Sequence, residues 1–337
     1  MTKKLMINGF GRMGRLALRQ QCTSGTHQVV HINDPNGTPE LAAHLLKYDS
    51  THGTWAESVK NKKTELCINT QTIKWSSELS IETIPLNKTQ PDIVIDCSGK
   101  NRTLASLAPY FDQGVKKVIV SAPLPDPKVK NIVFGINDHL YNPKTDHVIT
   151  AASCTTNALA PVVQAIHTHF NIKQGSITTL HNPTNTQLVV DGFHNDLRRA
   201  RSSMTSLIPT STGSAFAIEK IFPELKDRLS SIAIRVPVLN ASLIDCVFEV
   251  EKKTSPQSVN AQLYAESESN LKGVLGYEAR PLVSSDFLGS SYSSIIDAGS
   301  TTVTNKTQLK ILSWYDNEWG YVCRLMDLVN KVASELD

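Results

Sequence analysis

The chain has 337 residues, 40% of them hydrophobic, and a net charge of +3 from 34 basic and 31 acidic side chains. That size and composition suit two globular domains and exclude disorder or a small disulfide scaffold. Charges of both signs are spread along the chain, so there is no broad basic field for nucleic acid or a membrane surface, and any anion must meet a local site.

The six cysteines, Cys22, Cys67, Cys97, Cys154, Cys246 and Cys323, form no CxxC or metal-like cluster. They point to a reducing compartment and to no metal. No apolar run approaches membrane-spanning length, so a cytoplasmic location is expected.

In the first half, short apolar runs alternate with helical patterns: "KLMIN", "RMGRLALRQQ", "VVHIN", "ELAAHLLKY", "DIVIDCSG", "KKVIVSAP" and "HVITAAS". Runs apolar on both faces, joined by helices, predict a Rossmann-type parallel sheet wrapped by helices. The texture changes after Ser153. A helix predicted from about Thr155 to Phe170 contains Pro161, which should kink it or confine its regular part to the residues beyond. The longer runs "GSITTLH", "SSIAIRVP", "SLIDCVFEVEK" and "TQLKILSWY" then predict a second, α+β domain on a mostly antiparallel sheet. The serine-rich "SSDFLGSSYSS" reads as an ordered loop. At the end, Val322, Met326, Val329, Ala333 and Leu336 fall at helical intervals and predict a closing amphipathic helix. The expected division is therefore 1–152, 153–317, and a helix in 318–337 that packs back on the N-terminal domain, giving an α/β fold of two domains.

Gly9, Gly11 and Gly14 form G-x-G-x-x-G between the first strand and the first helix, where small residues let the backbone approach a pyrophosphate at a helix N-terminus. Asp34 lies 20 residues beyond Gly14 at the end of the next strand, placed to accept hydrogen bonds from an adenosine ribose. Its carboxylate would repel a 2′-phosphate, so NAD is expected over NADP. A second strand–helix turn, "DCSGKN", places Ser98 and Gly99 near such a cofactor, although a tight turn accounts for them nearly as well.

Cys154 follows Ser153, a plausible N-cap, at the start of the predicted helix. A helix N-terminus lowers a thiol pKa and makes a nucleophile, whereas a lone cysteine is ordinarily a small buried hydrophobe. His181 ends the next apolar run and can return to the thiol as base. His167 and His169, two apart on a helix, point to different faces and make no metal site. "DLRRARSS" clusters Arg198, Arg199 and Arg201, and Arg235 ends "SSIAIRVP". Such clusters are usually solvated, yet arginine is the phosphate ligand where geometry matters, and Thr212 with Gly213 adds hydroxyl and backbone donors. A dinucleotide site, thiol, base and anion ligands together suggest oxidation of a phosphorylated aldehyde through a thioester.

With "INGFGRMGR", "KYDSTHG", "SAP", "AASCTTNALAP", "RRAR", "IPTSTGSA", "RVP", "SSIIDA" and "WYDNEWGY" in order, the chain resembles phosphorylating glyceraldehyde-3-phosphate dehydrogenases almost from end to end. The resemblance implies Cys154 as nucleophile and His181 as base. It implies Ser153, Thr155, Thr212, Gly213 and Arg199 as ligands of inorganic phosphate, and Thr184 and Arg235 as ligands of the substrate phosphate. Phe10, Arg12 and Met13 of the glycine turn, Ser121, Asn317 and Tyr321 join the cofactor residues, with Asn317 orienting the nicotinamide carboxamide. Such enzymes are homotetramers, in which residues 182 to 205 would lie against a neighbouring subunit's cofactor.

The chain departs from the family pattern at Ala158, where most members have a second cysteine, at Pro183, and at Phe193, where a proline contributes to NAD preference. "HINDP", "HNPTNTQ" and "NASLIDCVFEVE" resemble a bacterial branch found with arsenic-resistance genes, in which arsenate replaces phosphate. The expectation is NAD-dependent conversion of glyceraldehyde 3-phosphate to 1,3-bisphosphoglycerate. The rivals are another aldehyde, such as erythrose 4-phosphate or aspartate semialdehyde, and a non-catalytic dinucleotide- or RNA-binding protein.

Overall fold

A computed structural model describes residues 2–336. The chain divides into two compact units, Met1–Ser153 with Val322–Asp337, and Cys154–Tyr321.

The first unit is built on a nine-stranded sheet, ordered 59–62, 65–68, 71–76, 28–33, 4–8, 93–96, 117–120, 148–150, 130–131. From the strand Gln71–Ser76 onward every neighbouring pair is parallel. Strands such as Ile93–Asp96 and Lys117–Val120 are buried at all four positions, as a sheet covered on both faces requires. The order reverses at Lys4–Asn8, which lies between Gln28–Asn33 and Ile93–Asp96; ligands of open α/β sheets bind at such a switch point.

Sequence reading missed the antiparallel edge formed by Val59–Lys62, Glu65–Ile68 and Gln71–Ser76. Its lysines and turn residues carry no long apolar run. The helices obey local chemistry: Thr38 caps Pro39–Lys47, and Thr103 with Ser106 forms a capping box on Leu104–Asp112.

The second unit carries an eight-stranded sheet, ordered 208–210, 229–235, 172–181, 242–250, 308–315, 294–297, 275–278, with 302–304 paired on 308–315. Two pairs are parallel, Ile172–His181 with Leu229–Arg235 and Leu275–Glu278 with Ser294–Asp297; the other five are antiparallel. The strand Ser242–Val250 alternates strictly between buried and half-buried residues, so one face meets the core.

Two expectations need correction. Pro161 neither ends nor delimits its helix, which runs unbroken from Cys154 to Phe170. Twelve of its 17 residues are buried. That burial all round the helix outweighs the roughly 3 kcal/mol a mid-helix proline costs. The last helix is Trp319–Ser334, so Leu336 lies beyond it. Val322, Met326, Val329 and Ala333 are buried as the periodicity requires.

Candidate active site

In the first unit the glycine turn follows Lys4–Asn8 and leads into the helix Arg12–Ser24. Gly9 has φ +89°, and a Cβ there would lie 2.5 Å from the Ser98 amide nitrogen. A Cβ on Gly14 would lie 2.1 Å from the Gly9 carbonyl oxygen. The first and third glycines therefore allow close backbone contacts that no side chain permits. Gly11, at the helix N-cap, differs: a Cβ would meet no protein atom within 4 Å. The open space lies where the helix N–H groups begin, which suits a pyrophosphate.

Asp34 accepts from the Phe10 amide at 2.7 Å and from the Asn36 amide at 2.9 Å. It fixes the glycine turn and keeps carboxylate lone pairs for hydroxyl donors. Ser98 and Gly99 lie in the turn that packs against Gly9, and Gly99 has φ +68°. Asp96, which sequence reading missed, holds that turn: it accepts from Ser98 N at 3.0 Å, Ser98 Oγ at 2.6 Å and Asn101 Nδ2 at 2.8 Å. The Ser121 amide bonds the Asp96 carbonyl at 2.9 Å. Arg12 is paired with Asp49, and Met13 is the second residue of the helix. This cradle fits a dinucleotide.

In the second unit Cys154 opens the helix Cys154–Phe170, directly after half-buried Ser153. His181 ends the strand Ile172–His181. Cys154 Sγ lies 3.5 Å from His181 Nε2. On the other side of the ring, Nδ1 faces the Asn182 carbonyl oxygen at 2.8 Å and Arg235 Nη1 at 2.7 Å. These partners make opposite demands. The carbonyl only accepts, so it fixes a proton on Nδ1 and leaves an Nε2 lone pair toward the sulfur; the guanidinium needs Nδ1 bare. Arg235 Nη1 also donates to the same carbonyl at 2.9 Å.

Burial, then the Arg235 charge, lowers the His181 pKa to about 4. Burial raises the Cys154 thiol above its ordinary value, opposed by the Thr155 hydroxyl and by Arg235. Desolvation thus opposes the lowering expected of the helix N-terminus, while the Thr155 hydroxyl, the backbone N–H groups and Arg235 act in the same sense as the helix.

Beneath the pair, Tyr315 is buried, and its hydroxyl bridges Thr155 Oγ1 at 3.1 Å and Thr179 Oγ1 at 2.9 Å. Its ring meets that of His181 edge-on, with centroids 6.0 Å apart. Asn317 accepts from Ser242 Oγ at 2.9 Å. Asp316 beside it accepts from the Glu318 and Trp319 amides at 2.9 and 2.7 Å, which anchors the start of the final helix. Tyr321, within that helix, is buried.

Sheet pairing places Arg235 opposite both His181 and Ile208. Two residues beyond Ile208, Thr210 accepts from Arg199 Nε and Nη2 at 2.9 and 2.6 Å. His181 and Arg235 thus end adjacent parallel strands, and Arg199, outside the sheet, is tied to the next strand at Thr210, opposite Ala233. Thr184 bonds Gln187, and Thr212 bonds Ser214, next to Gly213. Arg201 instead makes an exposed pair with Asp191. Sequence reading missed Tyr315, Ser242, Asn182 and Thr210; the only local signal was the hydroxyl and amide residues at strand ends.

A model of the NAD binding domain of glyceraldehyde 3-phosphate dehydrogenase matches residues 3–104, and the model of that enzyme's C-terminal domain matches residues 153–317. The chain is 54% identical over 337 residues to glyceraldehyde-3-phosphate dehydrogenase 3 of Nostoc sp. strain PCC 7120, covering 100% of both chains. It is 44% identical to glyceraldehyde-3-phosphate dehydrogenase of Geobacillus stearothermophilus and 42% to glyceraldehyde-3-phosphate dehydrogenase 1 of Bacillus subtilis, covering 99% of each chain. The chain belongs to the glyceraldehyde 3-phosphate dehydrogenase family. It is an NAD-dependent oxidoreductase of that type. Among the described residues, no helix is long and apolar enough to cross a membrane.

Proposed function

We propose that the chain oxidises D-glyceraldehyde 3-phosphate with NAD and takes up inorganic phosphate to give 1,3-bisphosphoglycerate. The observation that carries this reading is the 3.5 Å contact between Cys154 Sγ and His181 Nε2 at a helix start, with Arg235 on the far side of the ring. The Cys154 thiol gives its proton to His181, and the sulfur forms a bond to the aldehyde carbon. The Cys154 backbone N–H and the imidazole stabilise the developing oxyanion, which takes the proton to become a thiohemiacetal. Bound NAD supplies the hydride acceptor. His181 removes the hydroxyl proton as the C–H bond breaks, leaving a thioester. Phosphate oxygen then attacks the thioester carbonyl, the C–S bond breaks, and the acyl phosphate leaves with the cysteine regenerated.

Arg235 and Thr184 anchor the substrate phosphate. Arg199, Thr212, Gly213, Ser153 and Thr155 receive the attacking anion. Gly9, Phe10, Gly11, Arg12, Met13, Gly14, Asp34, Ser98, Gly99 and Ser121 hold the dinucleotide, and Asn317 and Tyr321 act at its nicotinamide end. Arsenate, near-isosteric with phosphate, is accepted by the same ligands and serves as the anion in an arsenic-resistance setting. The protein works in the cytoplasm, which its six free cysteines suit. It works as a homotetramer: Val189, Val190, Phe193, Leu197, Met204 and Leu207 are exposed in one segment, an apolar surface that a second copy would cover.

The test follows nicotinamide reduction by purified protein with glyceraldehyde 3-phosphate, comparing NAD with NADP and phosphate with arsenate or no anion. Anion-dependent NAD reduction supports the reading. Absence of reduction under every combination would overturn it.

A further inference from the structure

Ser242 occupies a junction that the mechanism leaves unused. It is fully buried, it opens the strand Ser242–Val250, and it pairs directly with Tyr315 across the sheet. Its Oγ accepts from the Asn182 amide at 3.3 Å and donates to Asn317 Oδ1 at 2.9 Å. Asn182 is the residue whose carbonyl oxygen faces His181 Nδ1 at 2.8 Å, and its own side chain is tied to the Leu239 carbonyl at 2.8 Å. One hydroxyl thus joins the backbone tether of the imidazole to the carboxamide of Asn317.

A serine hydroxyl has a single hydrogen. Directed at Asn317 it meets Oδ1, with Nδ2–H as the amide's other end, and the Tyr315 hydroxyl also bonds Ser242. Alanine at 242 would leave the buried Asn182 N–H without an acceptor and free the Asn317 amide to turn over.

We propose that Ser242 is a positioning residue: through Asn317 it fixes the amide that recognises the nicotinamide carboxamide, and through Asn182 it holds the carbonyl that orients His181. This inference rests on the assignment of Asn317 to the nicotinamide end.

The experiment measures dissociation constants of the apo-protein for NAD and for ADP-ribose, which lacks the nicotinamide, by calorimetry, with a thermal melt of each variant. Ser242→Ala is expected to weaken NAD about tenfold, one lost hydrogen bond, and to leave ADP-ribose within about twofold. Ser242→Thr, which keeps the hydroxyl, is expected to restore the ratio. Asn317→Ala is expected to show the same selective loss. If Ser242→Ala weakens both ligands equally, or neither, while Asn317→Ala remains selective, the role of Ser242 is overturned and that of Asn317 stands. If Asn317→Ala shows no selectivity, both fall. Should the alanine variant not fold, Ser242→Cys, near-isosteric with a weaker donor, is read in the same way.

Discussion

The imidazole of His181 stands between a sulfur and a carbonyl: Nε2 is 3.5 Å from Cys154 Sγ, and Nδ1 is 2.8 Å from the oxygen of Asn182. In the tautomer the carbonyl favours, against the guanidinium of Arg235 at 2.7 Å, a lone pair is aimed at the thiol, the arrangement needed by a base acting on its proton. Cys154→Ala is therefore expected to abolish turnover while NAD binding, measured by calorimetry, is retained. His181→Asn is expected to lower kcat by about 10²- to 10⁴-fold and to slow alkylation of Cys154 by iodoacetamide at neutral pH. Residual turnover in Cys154→Ala near the wild-type rate would remove the nucleophile from the mechanism.

Arg235 acts on both members of that pair, and in opposite senses. Its charge lowers the His181 pKa, second to burial, and opposes the burial that raises Cys154. Removing it as Arg235→Gln should raise both values: the imidazole gains a proton more readily, and the thiol loses its proton less readily. The alkylation-versus-pH curve of Cys154 should move to higher pH, and the His181 ring signal in NMR should titrate at higher pH than in wild type. If Arg235 anchors the substrate phosphate as proposed, its loss should also lower kcat/KM for the phosphorylated aldehyde about 10- to 100-fold. An unmoved alkylation curve would show that the guanidinium is not felt at the sulfur.

Gly9 and Gly11 of the first turn have separable roles. At Gly9, φ is +89° and a Cβ would lie 2.5 Å from a backbone nitrogen, so Gly9→Ala must displace the Ser98 turn. It is expected to lower both Tm and NAD affinity. At Gly11 a Cβ meets no protein atom within 4 Å, so Gly11→Ala is expected to leave Tm unchanged and yet weaken NAD at least about tenfold, because the methyl occupies the ligand's approach. Equal NAD affinity in Gly11→Ala and wild type would place the pyrophosphate elsewhere.

What was legible in the sequence was what periodicity and local turn chemistry encode. The buried parallel strands read as continuous apolar runs, and Gly9, Gly11, Gly14 and Asp34 sit at spacings that a strand–turn–helix dictates. Cys154 and His181 were legible as candidates because each ends or begins an element. Tyr315, Ser242 and Asn182 were not, since their contacts arise from strand pairing between segments that are far apart in the chain: Ser242 meets Tyr315 only across the register of two strands. Pro161 was misread because its local rule assumes an exposed helix, whereas this one is buried along most of its length. The opposing pull on the thiol was not legible for a similar reason: desolvation by packed neighbours is a tertiary property, whereas the helix terminus is visible in the sequence.

Two fully buried histidines make the protein acid-labile. His31 is held by Thr89 Oγ1 at 3.1 Å and Ser76 Oγ at 2.8 Å, and burial lowers its pKa to about 4, as for His181. Both are neutral in the folded state at pH values where the unfolded chain, with histidine near its ordinary value of about 6.5, begins to bind protons. Stability is thus complete above about 6.5 and falls as the pH drops toward about 4, by up to about 3 kcal/mol for each group. Thermal melts between pH about 7.5 and about 5 should show Tm falling steadily. His31→Gln, which keeps a donor and an acceptor but does not titrate, should lower Tm at neutral pH while making its decline with acid shallower. An equally steep decline in that variant would assign the acid sensitivity to other groups.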